Sequence, residues 1–152
     1  MTQQSVVETF LSHKTLALAG VSRSGKKFGN AVLKALKIKG YEVLVVHPEV
    51  ADIDGHACFP SLAELPDRVG GLILVVPPVQ TEKLVREAHS VGILNIWMQQ
   101  GSESKEAVIF CQDNDMAVIS GECILMYAQP QGFHKFHHWL WGILGKRPKA
   151  HA

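Results

Sequence analysis

Gly20, Ser22 and Gly25 stand in the pattern Gly20-x-Ser22-x-x-Gly25, directly after the apolar run Leu16–Ala19. A backbone without Cβ can come close to a phosphate, and a turn that opens a helix presents unpaired N–H groups to an anion. Here the turn Gly20-Val21-Ser22-Arg23-Ser24-Gly25 leads into Lys26 and Lys27, and a segment of helical periodicity begins near Phe28. Serine replaces the second glycine of the dinucleotide-binding fingerprint, which leaves that fingerprint incomplete, although its hydroxyl can donate to a phosphate oxygen. Cations at a helix start oppose the macrodipole, so an anion would relieve Arg23, Lys26 and Lys27. The chemistry that fits is the holding of a phosphorylated ligand. A surface loop with solvated charges is the plainer alternative.

Three further groups invite chemistry. Cys123 follows the last apolar strand and could meet a ligand thiol, but a free cysteine more often packs as a small apolar side chain. His134, His137 and His138 share one face of a helical stretch, yet no carboxylate or cysteine completes a metal shell, so no metal is expected. Glu122 is a lone acid beside Cys123, read as a solvated loop charge, and Glu103 and Glu106 as dipole partners of a helix start. No nucleophile elbow, Walker motif or pair of carboxylates at a strand end occurs, so no catalytic residue is assigned.

The elements that must position these groups follow from the apolar runs. Strands are expected at Thr15–Ala19, Tyr41–Val46, Gly71–Val76, Ile93–Met98 and Met116–Ile119. Between them helices are expected at Lys27–Lys39, stopped by Gly40, at Val79–Val91, with Thr81 able to cap, and at Glu103–Asn114. A lead-in helix fits Ser5–Ser12, and one helical turn capped by Ser61 fits Leu62–Leu65. Strands that are continuous apolar runs alternating with helices specify an α/β fold, a Rossmann-like doubly wound parallel sheet of five strands with helices on both faces. Their C-terminal ends, at Gly20-Val21-Ser22, His47-Pro48, Pro77-Pro78, Gln99-Gln100-Gly101 and Ser120-Gly121, would line one edge, where such sheets bind ligands.

At 152 residues with 47% hydrophobic and 19% charged content, the chain is read as one globular domain over 1–128 with a helical extension over 129–152. A net charge of +1 argues against nucleic acid as a partner. Three widely spaced cysteines form no disulfide framework, no basic-then-apolar leader opens the chain, and no stretch is long enough for a membrane span. A cytoplasmic protein is therefore expected. The extension carries Phe133, Phe136, Trp139, Leu140, Trp141, Ile143 and Leu144, more apolar surface than one helix can leave in water. Packing on the domain or in a homodimer is expected, ahead of a membrane surface.

The position after the second strand selects the nucleotide. NAD needs an acid there for its ribose hydroxyls and NADP an arginine for its 2′-phosphate, whereas this chain has His47-Pro48. Arg23, Lys26 and Lys27 suit the heavier charge of coenzyme A. The stretches AGVSRSGKKFGNAV, VVHPEVADIDGHACFPSLAELP, LILVVPP, ILNIWMQQGSESKEA and SGECILM resemble the small stand-alone CoA-binding proteins, whose fold is similar to the N-terminal domain of the succinyl-CoA synthetase α subunit. This resemblance implies that Gly20, Val21, Ser22, Arg23 and Lys26 surround the phosphates and that His47 and Pro48 lie near the adenosine. It implies Val76 and Pro77 along the nucleotide wall, and Gln99 and Gly101 by the pantetheine arm. Family members often carry a lysine where this chain has Glu49-Val50. The synthetase's acid–thiol ligation also needs a phosphorylated histidine from a second domain, so ligation by this chain alone is not expected. The expected ligand is CoA or an acyl-CoA. An NAD(P)-binding oxidoreductase or redox sensor, and an interaction protein with a vestigial nucleotide site, are the alternatives.

Overall fold

Strand β1 (Thr15–Ala19) lies at the centre of the molecule and shows why the sheet forms as it does. All five of its residues are buried, with Leu16 and Leu18 projecting to one face and Ala17 and Ala19 to the other. Each face therefore needs a helical cover, and only a parallel strand flanked by crossover helices is buried in this way. The computed structural model describes residues 3–53 and 55–126, and the expected extension over 129–152, with its aromatic helix and three histidines, lies outside the described residues.

In chain order the elements are α1 (Gln3–Ser12), β1, α2 (Phe28–Lys39), β2 (Glu42–Val46), β3 (Asp52–Ile53), β4 (His56–Phe59), a 3₁₀ turn (Leu62–Glu64), β5 (Gly71–Leu74), α3 (Pro78–Ser90), β6 (Asn95–Gln99), α4 (Lys105–Asp113), β7 (Ala117–Glu122) and a closing 3₁₀ turn (Ile124–Met126). The sheet order is β3-β4-β2-β1-β5-β6-β7, parallel throughout except for β3 against β4. The doubly wound α/β fold is thus as expected, with seven strands in place of five. The two extra strands form a hairpin in a stretch where no strand is expected: Asp52 pairs with Ala57 and Ile53 with His56, and β4 then joins β2 through Val45–Cys58 and Val46–Phe59.

On one face Val7 and Phe10 of α1 and Val32, Leu33 and Leu36 of α2 close over Leu16, Leu18, Val43, Val45 and Trp97. The Phe10 and Trp97 rings meet edge to face at 5.4 Å. Gly71 is required beneath them, because a Cβ there would enter the Phe10 ring. On the other face Val85 and Ala88 of α3 and Ala107 and Cys111 of α4 cover Ala17, Ala19, Leu74 and Met98. Gly40 ends α2 in the left-handed conformation (φ 103°), as expected of a C-terminal stop.

Three local expectations change. Helix α3 begins at Pro78, whose missing N–H suits a first helical position, so Thr81 lies inside the first turn with a buried hydroxyl and does not cap. Helix α4 begins at Lys105 behind Ser104, whose side chain accepts from Ala107 N. Glu103 therefore precedes the helix rather than standing in its first turn. Finally β7 runs on through Ser120-Gly121 to Glu122, with a register shift against β6 at Met98/Gln99 and Gly121 at φ 76°. This bulge lets the strand continue where a turn was expected and draws the Glu122 side chain into the interior.

The opposite edge of the sheet is pinned by polar contacts. Glu42 receives Arg68 in a bidentate pair at 2.7 and 2.8 Å, and Thr15 donates to the same carboxylate at 2.8 Å. Arg68 and Thr15 together hold the Glu42 carboxyl down at about 2. Among the described residues no helix is long and apolar enough to cross a membrane.

Candidate functional site

The strand order reverses at β1: the chain steps from β1 outward to β2 and returns to β5 on the other side. Crevices outside the strand ends open at such a point. Gly20 (φ 117°) leaves β1 there against the end of β5, where a Cβ would strike the Val75 carbonyl. Gly29, buried in the first turn of α2, rests on the Gly20 carbonyl so closely that no Cβ fits. Two glycines thus bring the start of α2 down onto the end of β1. Gly29 falls inside the helix expected over Lys27–Lys39, and nothing in that helical pattern marks its contact with Gly20.

The turn itself is built from serine. Gly25 N–H closes it on the Ser22 carbonyl at 3.2 Å. Ser24 N–H donates to Ser22 Oγ at 3.2 Å, the two hydroxyls lie 2.9 Å apart, and Lys26 N–H donates to Ser24 Oγ at 3.3 Å. Asn30 of α2 clamps it from behind: Ser22 N–H donates to Asn30 Oδ1 at 3.0 Å, and Asn30 Nδ2 donates to the Ser22 carbonyl at 2.8 Å. The Ser22 amide therefore serves Asn30 and does not face outward, whereas its hydroxyl remains on the exposed side. Asn30 holds the turn in a way that periodicity could not single out.

Helix α2 starts without a side-chain cap. Lys27 occupies the cap position in extended conformation; its carbonyl accepts from Asn30 N–H at 3.0 Å, but its side chain can offer no acceptor, so the helix keeps its positive end open ahead of Asn30. Arg23, Lys26 and Lys27 surround it, all exposed, and none joins an ion pair among the described residues. An open helix start with three uncommitted cations is a local excess of positive charge that an anion would neutralise.

The other expected residues arrive at the same edge because their strands are parallel. His47 follows β2, its N–H donating to the Phe59 carbonyl at 2.9 Å and its Nδ1 accepting from Glu49 N–H at 3.1 Å. Pro48 beside it is exposed. Val76 follows β5, half-buried, and its N–H donates to Ser102 Oγ at 2.9 Å, tying the β6–α4 loop to the β5 end. Pro77 is exposed and caps α3. Gly101, at φ 91°, donates to Glu103 Oε2 at 2.9 Å.

Gln99 differs from these. It is fully buried, with its side-chain oxygen accepting from Ile124 N–H at 3.1 Å. Its side chain also lies against Cys123, whose thiol burial pushes upward. Cys123 is 4% exposed and so behaves as the packed apolar side chain that residue type favours. Glu122, expected to be solvated, is fully buried, and its carbonyl accepts from the Trp97 indole at 3.1 Å. Among the described residues no three His, Cys, Asp or Glu side chains gather as a metal site.

Comparison with known proteins bears on this edge. The family described as "CoA binding domain" matches residues 14–129. The chain is similar to acetate–CoA ligase [ADP-forming] I of Archaeoglobus fulgidus, 33% identical over 81 residues, which are 53% of this chain and 12% of that protein. It thus spans little more than a tenth of the ligases it matches first. Among solved structures it is similar to a conserved hypothetical protein of Pyrococcus furiosus at 37% identity and TM-score 0.72, covering 74% of this chain and 97% of that one. A hypothetical protein of Pyrococcus horikoshii superposes at TM-score 0.76 with 27% identity, covering 83% and 89%.

Proposed function

The chain belongs to the CoA-binding domain family, and from that premise we propose that it holds coenzyme A, free or as an acyl thioester, along the C-terminal ends of its parallel strands without chemistry of its own. The observation that carries this reading is the uncapped start of α2 behind the Gly20–Lys27 turn, where Arg23 and Lys26 are free to meet a diphosphate. Ser22 contributes its hydroxyl, and Asn30 keeps the turn in place. His47 and Pro48 border the nucleoside side, Val76 and Pro77 form the wall between, and Gly101 with the buried Gln99 lies toward the pantetheine arm. The matched ligases act on acetate and CoA. For this chain we assign the cofactor-holding part of such a reaction.

The residue after β2 supports CoA over nicotinamide dinucleotides, since His47-Pro48 provides neither a carboxylate for ribose hydroxyls nor an arginine for a 2′-phosphate. The test is native mass spectrometry of the purified protein followed by titration with CoA, NAD and NADP. CoA is expected to bind best, and Lys26→Ala to weaken it about tenfold, the worth of one charge-assisted contact. Preference for NAD, or indifference to Lys26→Ala, overturns the reading.

A further inference from the structure

A groove of about 650 Å³ runs along the outer face of α2, beginning at Gly25 and Lys26 where the serine turn ends. Its α2 side is a single helical stripe, Lys27, Asn30, Ala31, Lys34, Lys37 and Ile38, at the i, i+3, i+4, i+7 spacing of one face. His56 of β4 lines the opposite bank. The groove exists because the chain passes from β2 to β4 through a short hairpin and not through a helix, leaving that flank of α2 uncovered.

Its charge is one-sided. Four lysines and a histidine line it, and no carboxylate does so among the described residues, although the whole chain carries only +1. Lys37 Nζ and His56 Nε2 converge to 3.5 Å across it. Arg23, Lys26 and the open helix start suffice for a diphosphate, so the lysines further along α2 are cations in excess of that need. A phosphate monoester adds roughly −1.5 to −2 charge at neutral pH. Lys34 stands seven residues beyond Lys27, about 10 Å along the axis, and helical side chains lean back toward the N-terminus. That brings its ammonium within a nucleoside's reach of the helix start. Ile38 (57% exposed) and Ala31 supply apolar surface beside the cations.

The geometry points to this groove as the seat of the 3′-phosphate of coenzyme A, held by Lys34 with Lys37 behind it, which makes α2 the element that distinguishes CoA from its 3′-dephospho form. This assignment rests on the CoA-holding function above and adds to it the source of nucleotide selectivity. The groove is joined to the proposed diphosphate position through Lys26 and Lys27, so one ligand can engage both.

The test is calorimetric titration of the full chain with CoA and with 3′-dephospho-CoA at low ionic strength, for wild type, Lys34→Gln/Lys37→Gln and, as a control on another helix, Lys83→Gln. Wild type and Lys83→Gln are expected to favour CoA by about tenfold or more, and the double variant to bind the two alike. All the substituted lysines are exposed, and melting curves check that each variant folds. Equal binding of both ligands by wild type, or a preference kept by the double variant, overturns the groove assignment alone. Failure of wild type to bind either ligand overturns the CoA-holding function and the groove assignment with it.

Discussion

Asn30→Ala removes both hydrogen bonds that hold the Ser22 peptide, the one accepted at Oδ1 and the one donated from Nδ2. Each such bond contributes about 0.5–1.5 kcal/mol net, and the half-buried Ser22 amide and carbonyl regain only part of their hydration when left behind, so the loss should be about 2 kcal/mol. For a chain of this size that corresponds to a melting point lower by about 4–8 °C. Urea denaturation is the cleaner assay, because the midpoint should fall while its slope, set by the surface exposed on unfolding, stays the same. Asn30→Asp should lose nearly as much: it keeps an acceptor for the Ser22 N–H but turns a carboxylate toward the Ser22 carbonyl. CoA affinity should fall in both variants, since the turn must then be ordered at the moment of binding. Stability within about 0.5 kcal/mol of wild type for Asn30→Ala would show that the clamp does not hold the turn.

Other consequences can be measured alongside. Gly29→Ala replaces glycine within a helix, which by propensity alone should stabilise by about 1 kcal/mol, but the new Cβ meets the Gly20 carbonyl, so the melting point should fall. A rise would mean that α2 can retreat from β1. Glu42, held at about 2 against an ordinary 4.5, stabilises the fold above pH 4.5 and loses that contribution as pH falls toward 2. The stability gap between wild type and Glu42→Gln should therefore close over that interval, and a constant gap would remove the ion pair from the explanation. Burial pushes the Cys111 thiol up to about 11 and raises that of Cys123. Iodoacetamide should therefore modify both only after unfolding, and native labelling of Cys123 would contradict its packing.

The parallel sheet was legible because its strands are apolar runs too continuous for a half-exposed sheet, GLIL and EVLVV among them. The β3–β4 hairpin was not, since two paired residues on one side and an exposed Ala57 leave neither a run nor an alternation to read. Glu122 was misjudged for a different reason: residue type says solvent, and only the bulge at Gly121 turns the side chain inward. The glycine turn and its cations were visible as a pattern, but Asn30 looks like any polar helix residue until the turn folds back on it. The groove was likewise hidden. It belongs to a relation between α2 and His56, eighteen residues beyond the start of Ile38 in chain order, that no local window contains.

Helix α2 begins on a lysine whose side chain can offer its amides no acceptor, at the spot where the surrounding side chains also repel one another. The free protein thus keeps a small electrostatic debt at the mouth of its cleft, and whatever anion settles there discharges it and tightens the helix in the same event. Heat resistance and occupancy are consequently linked through a few peptide hydrogens: melting should track ligand concentration logarithmically. A substitution that stoppered the helix with an acceptor of its own would make the empty protein sturdier and the loaded one rarer.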